Sequence, residues 1–106
     1  MSIRAANAPC SWGVLEFSSE GQAPGPQQVL DEIAATGYGG TELGDYGFLP
    51  DDPVRLREAL GARALDLVGA FVPVALPDEA AHDAGEALAV KTARLALDSL
   101  RDTLTR

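Results

Sequence analysis

The sequence predicts an α/β fold in which short parallel strands alternate with helices. Three observations support this prediction. Strand-like and helix-like segments alternate three times, each predicted helix follows a proline or aspartate signal, and the longer loops follow the strands rather than the helices. This alternation is typical of β–α–β units with right-handed crossovers. The 106 residues suffice for one small domain, which we place at residues 1–106.

The predicted strands are residues 3–9, 39–43 and 65–72. The first consists mainly of small residues and leads into a turn-prone segment that ends at Trp12 and Gly13. Glycines bound the second strand, and the third is rich in valine, leucine and phenylalanine, which favour strands.

The predicted helices are residues 26–36, 53–61 and 79–104. Pro26 and Pro53 suit the first helical position, where the missing N–H group costs nothing. Asp52 is the predicted N-cap of the second helix, and Asp78 that of the third. Gly37 is the predicted C-terminal stop of the first helix.

Composition and charge narrow the function classes. The net charge is −8, with a balance of −7 in residues 1–53 and −1 in residues 54–106, whereas nucleic-acid binders carry clustered basic residues. The longest apolar stretch is far shorter than the ~20 residues of a membrane span. The single cysteine cannot form an internal disulfide. We therefore expect a cytoplasmic protein with no nucleic-acid or membrane partner.

The candidate site residues follow or end predicted strands, where α/β folds bind ligands. We expect Trp12, Glu42 and Phe71 to share one cleft at the carboxyl ends of the strands. Trp12 could pack on the apolar face of a sugar ring or could simply plug the core. An acid within a short buried strand is costly unless it is paired or faces a polar cavity. Glu42 could therefore contact substrate or form a structural salt bridge with Arg4 or Arg63.

Four sequence blocks, in this order and spacing, resemble the start of one enzyme family. The blocks are 8–13 (APCSWG), 40–44 (GTELG), 47–50 (GFLP) and 68–74 (VGAFVPV). They resemble the sugar phosphate isomerases and epimerases of the xylose-isomerase-like TIM-barrel superfamily, in particular its inosose dehydratase-like members. The resemblance covers about residues 3–78. It implies the first three βα units of a (β/α)₈ TIM barrel, which typically needs ~250 residues.

The resemblance also implies a function. The chain would be the N-terminal fragment of an enzyme that acts on a sugar or polyol by metal-assisted proton transfer, with Trp12 and Glu42 lining the substrate pocket and no catalytic residue among its own. In the family a divalent metal (Mn, Mg or Co) is held by two Glu, an Asp and a His from later strands. We therefore expect no tight metal binding by this chain.

Two other interpretations remain open at this stage. One is a non-catalytic truncated barrel that acts as a binding or assembly module or is a gene remnant. The other is an independent small α/β domain whose similarity to the family is accidental. In a partial barrel the sheet edge is exposed, so we also expect self-association through it.

Overall fold

The structure is a computed structural model that describes residues 3–13 and 24–104. It contains a parallel sheet of three strands in the order β1-β2-β3. The strands are β1 (Ala6–Asn7), β2 (Gly40–Glu42) and β3 (Asp66–Gly69), and the helices are α1 (Pro26–Ala35), α2 (Pro53–Gly61) and α3 (His82–Leu104). The predicted alternation and the parallel strand direction are confirmed, and the fold is compatible with an incomplete series of βα units.

The helix signals in the sequence act as predicted for α1 and α2. Asp52 caps α2, because its Oδ2 accepts a hydrogen bond from the backbone N–H of Arg55 at 3.0 Å. Gly37 adopts a positive φ of 94° just beyond α1, which is the conformation that favours glycine at a helix end. The third helix begins later than predicted, because Asp78 caps a short 3₁₀ helix (Glu79–Ala81) that precedes α3.

The strands are shorter than predicted. Pairing between β1 and β2 covers only two residue pairs, Ala6 with Gly40 and Asn7 with Thr41. A parallel ladder ends where one of its strands turns away, and Pro9 already begins a 3₁₀ helix (Pro9–Trp12). The predicted bounds 3–9, 39–43 and 65–72 were therefore too wide, because they described extended chain rather than paired chain.

The hydrophobic core lies where the helices pack on the sheet. Its buried members are Val29, Leu30, Ile33, Leu43, Leu49, Leu56, Leu60, Leu65 and Leu95. The opposite sheet face is open in the described part of the chain. On that face a Cβ on Gly40 would lie 2.9 Å from Cγ1 of Val68 and 3.4 Å from Cβ of Ala6, and the Val68 residue is 57% exposed.

The loop after β3 is fastened to α3 at two points. Val74 packs against Gly85, where a Cβ would lie only 2.6 Å from Cγ1 of Val74. Nε2 of His82 lies 2.8 Å from the backbone oxygen of Leu76, so this nitrogen carries the proton and donates. None of the helices in the described residues is long and apolar enough to cross a membrane.

Candidate functional site at the carboxyl ends of the strands

The three predicted site residues belong to three neighbouring parallel strands. Trp12 ends the 3₁₀ helix that follows β1, Glu42 is the last residue of β2, and Phe71 follows β3. The carboxyl ends of adjacent parallel strands meet at one edge of a sheet, and ligands of α/β folds bind there. The topology therefore assigns all three residues to the end of the sheet where the carboxyl ends of the strands lie.

The turn that carries Trp12 is held by Asn7, which the sequence analysis did not single out. Oδ1 of Asn7 accepts hydrogen bonds from the backbone N–H of Ala8 at 2.8 Å and from the hydroxyl of Ser11 at 2.7 Å. Gly13 closes the turn with a φ of 86°. An asparagine just before a tight turn is a known signal, because its short side chain bonds nearby backbone groups.

Trp12 is half-buried and packs against the hydrophobic core. This contact fits the alternative in which the indole plugs the core. The half-buried ring also keeps part of its surface open at the carboxyl end of β1, so contact with a ligand stays a prediction.

Glu42 is exposed, although the sequence analysis placed this acid inside a buried strand. Its strand neighbours Gly40 and Thr41 are buried as expected. Glu42 lies two residues after Gly40 and therefore on the same, open face of the sheet. The register with β3 shifts between Thr41 and Glu42, because β3 has one extra residue, Val68, between the partners Leu67 and Gly69. After the bulge, the backbone N–H of Leu43 donates to the oxygen of Gly69 at 2.8 Å.

Neither predicted salt bridge to Glu42 is formed. Arg4 pairs with Asp66, with 2.6 Å between Nη2 and Oδ2, at the amino end of β3. Arg63 pairs with Asp31, with 2.6 Å between Nε and Oδ1, on the helical side. The structural-salt-bridge interpretation of Glu42 was therefore wrong for both arginines.

The side chain of Glu42 lies across Gly69 instead. A Cβ built on Gly69 would lie 3.4 Å from Oε1 of Glu42 and 3.7 Å from its Cγ. Gly69 is also the register partner of Glu42 across the bulge. The Glu42 carboxylate thus lies against the backbone of Gly69 at the carboxyl end of β3 and remains exposed to solvent.

Phe71 lies in an apolar groove between the loop after β3 and α3. The groove has a volume of about 740 Å³, and the Phe71 residue is 37% exposed. Apart from Phe71, its lining includes Val72, Val74, Gly85 and Leu88. The structure thus brings Phe71 together with residues of α3, and the single cleft with Trp12 and Glu42 stays a prediction.

A second groove separates the start of α2 from α3. Its volume is about 640 Å³, and Nζ of Lys91 lies 4.2 Å from the ring centroid of Tyr46 at its wall. The charged lining residues have mixed signs: Asp51, Asp83, Glu86, Lys91, Arg94 and Asp98. Sequence analysis missed the contact of Lys91 with Tyr46, because no local pattern pairs a loop tyrosine with a lysine of a distant helix.

The donor set of the implied metal site is not found in the part of the chain that the structure describes. Within residues 3–13 and 24–104, no three histidine, cysteine, aspartate or glutamate side chains lie close enough to hold a metal ion. These residues therefore do not fit a four-ligand metal centre by themselves.

Comparison with known proteins relates the chain to a class of sugar-modifying enzymes. It is 35% identical over 68 residues to the inosose dehydratases of Salmonella agona and Salmonella typhimurium. It is 32% identical over 69 residues to the inosose dehydratase of Erwinia tasmaniensis. The matches cover 64–65% of this chain and 22% of each relative, so the chain spans only about a fifth of their length. No family model and no solved structure matches the chain.

Proposed function

We propose that the chain is the N-terminal part of an inosose dehydratase-like enzyme of the xylose-isomerase-like TIM-barrel superfamily, acting on a sugar or polyol. The observation that carries the proposal is the open carboxylate of Glu42 at the carboxyl end of β2. The partial similarity to inosose dehydratases and the three parallel βα units support it.

The proposed role of these residues is to bind and orient the polyol. A carboxylate accepts charge-assisted hydrogen bonds, so Glu42 would accept from neighbouring hydroxyl groups of the ring. Trp12 would contact the apolar C–H face of the same ring with the part of its indole that the core leaves open. Phe71 would add apolar surface on the β3 side.

The proton transfer itself would need groups that lie outside this chain. A general base must reach the proton it removes, and we assign no residue of the chain to that step. A divalent metal, bound by later strands in the full-length family, would polarise the substrate oxygen. We therefore propose that the chain supplies substrate contacts and does not turn over substrate alone.

A nuclear magnetic resonance titration of the chain with inosose tests the binding role. We expect selective shift changes at the Trp12 indole N–H and at the amides of Glu42 and Leu43, with a dissociation constant in the millimolar range. Weak binding is expected because one carboxylate and one aromatic ring enclose little of the ligand. A non-polyol control, cyclohexanone, should leave these signals in place.

Two results would contradict the proposal. One is the absence of any shift change at millimolar inosose. The other is a set of changes confined to the amino ends of the strands, such as Arg4 and Asp66.

The alternative of a non-catalytic binding or assembly module is favoured by one observation. Val68 of β3 is 57% exposed, and together with Val72 and Ala93 it lines an apolar groove between β3 and α3. Exposed apolar side chains next to an unpaired strand edge are typical of surfaces that another chain covers.

A further inference from the structure

Gly69 directly follows the extra residue of the β3 bulge, but its backbone conformation does not require glycine. Its φ lies outside the positive range that four other described glycines adopt, Gly13, Gly37, Gly44 and Gly47. A glycine within a strand packs no side chain and costs stability through its flexibility. The reason for a glycine at this position therefore has to be sought in the space above it.

That space holds the side chain of Glu42. Of the nearest atoms to a Cβ built on Gly69, all three belong to Glu42: Oε1 at 3.4 Å, Cγ at 3.7 Å and Cδ at 4.0 Å. Both residues end their strands, and the shifted register places them side by side. The Glu42 side chain thus packs against the backbone of Gly69, in the space that a larger residue would fill.

We propose that Gly69 is a positioning residue. Because it has no side chain, the Glu42 carboxylate can lie against the backbone at the end of β3, where it stays accessible to the ligand. The proposal rests on the function proposed above, because it concerns how the same carboxylate meets the polyol. It adds the requirement that residue 69 be small, which does not follow from the binding role of Glu42 alone.

The geometry predicts a graded response to side-chain size. An alanine methyl would stand in ordinary van der Waals contact with Glu42, so G69A should be tolerated. The additional methyl groups of valine would enter the volume that the carboxylate occupies, and the flexible glutamate side chain would have to rotate away. Valine is a good strand residue, so G69V should not weaken the strand itself.

The test is an inosose titration of the full 106-residue chain, in which nuclear magnetic resonance measures the dissociation constant. We expect G69A to raise the dissociation constant less than twofold and G69V to raise it at least fivefold. The matched control is G61V, at the end of α2, where a Cβ would meet nothing within 4 Å. Equal dissociation constants for G69V and the unmodified chain would overturn the proposal.

A double-mutant cycle separates positioning from a merely structural effect. In an E42A background, G69V should change the dissociation constant less than 1.5-fold further, because the side chain on which it acts is gone. A further fivefold loss in that background would show that position 69 acts independently of Glu42 and would overturn the proposal.

A ligand-free measurement keeps the two proposals distinguishable. The γ protons of Glu42 should show a nuclear Overhauser contact with the α protons of Gly69, and their shifts should move in G69V but not in G61V. If inosose does not bind the unmodified chain, the binding role of Glu42 fails, while this contact still decides the positioning. Absence of the contact would overturn the positioning role.

Discussion

The side chain of Val74 occupies the space that Gly85 leaves open on α3. A Cβ on Gly85 would lie 2.6 Å from Cγ1 of Val74 and 3.0 Å from its Cγ2. Together with the hydrogen bond from His82 to the oxygen of Leu76, this contact holds the loop after β3 against the helix. These two contacts hold the loop that carries Phe71 at its end farther from β3.

The first prediction concerns this contact. In an exposed helix, replacing glycine with alanine stabilises by about 1 kcal/mol, but G85A forces a methyl into the space of Val74. We expect G85A to lower the free energy of unfolding by about 1–3 kcal/mol, the range for overpacked sites, as measured by urea denaturation. The double variant V74A/G85A should recover most of the loss. Stabilisation by G85A alone would show that the loop does not pack there.

The second prediction concerns the cap of α2. Asp52 accepts the hydrogen bond from the backbone N–H of Arg55, and D52A should lower the free energy of unfolding by about 1 kcal/mol. The neighbouring exposed residue Asp51 provides the control, because D51A removes a charge near the same helix end without removing this bond. Equal losses in the two variants, measured by urea denaturation, would argue against Asp52 as the cap.

The third prediction concerns the centre of the sheet. A Cβ on Gly40 would lie 3.0 Å from the backbone oxygen of Asp66, which the strand pairing holds in place, and 2.9 Å from Cγ1 of Val68. We expect G40A to cost about 1–3 kcal/mol in thermal or urea unfolding, because a backbone neighbour cannot rotate away. The control G61A meets nothing within 4 Å and should not destabilise. Unchanged stability in G40A would contradict the described pairing of β2 with β3.

The fourth prediction concerns self-association through the edge at β3. Val68 and Val72 leave apolar surface at β3 and the loop after it, and we expect concentration-dependent association in analytical ultracentrifugation. Salt should strengthen it, because screening weakens the repulsion between chains of net charge −8. V68K should weaken the association more than L76K, a control in the loop after β3, where the residue is 73% exposed. Equal effects of the two variants would argue against the β3 edge.

Much of the fold could be predicted because its signals are local. The bounds of α1 and α2 follow from Pro26, Asp52, Pro53 and Gly37, each of which acts on backbone groups within a few residues. Strand lengths depend on pairing between distant segments, and the prediction of β1 as residues 3–9 could not anticipate that the chain turns into a 3₁₀ helix at Pro9 and leaves its neighbour β2. The late start of α3 likewise depends on a 3₁₀ helix that shares the capping signal of an α-helix.

The candidate site was predictable in position and not in environment. The placement of Glu42 at a strand end follows from the order of the elements. Its exposure follows from its position on the open sheet face, two residues after Gly40, and its contact with Gly69 follows from a bulge in β3. Neither the open face nor the bulge has a local signal. The sequence offered Arg4 and Arg63 as partners of Glu42, but the fold places them beside Asp66 and Asp31.

The most direct test of the central claim is inosose dehydration by a longer protein. In this protein, residues 3–78 replace the corresponding segment of the Salmonella typhimurium inosose dehydratase. We expect the chimera to dehydrate inosose, and we expect E42Q to lower kcat/KM at least tenfold while metal affinity changes less. The control E58Q, on the exposed side of α2, should retain full activity. A folded chimera without activity, or equal activity of the chimera and its E42Q variant, would contradict the account.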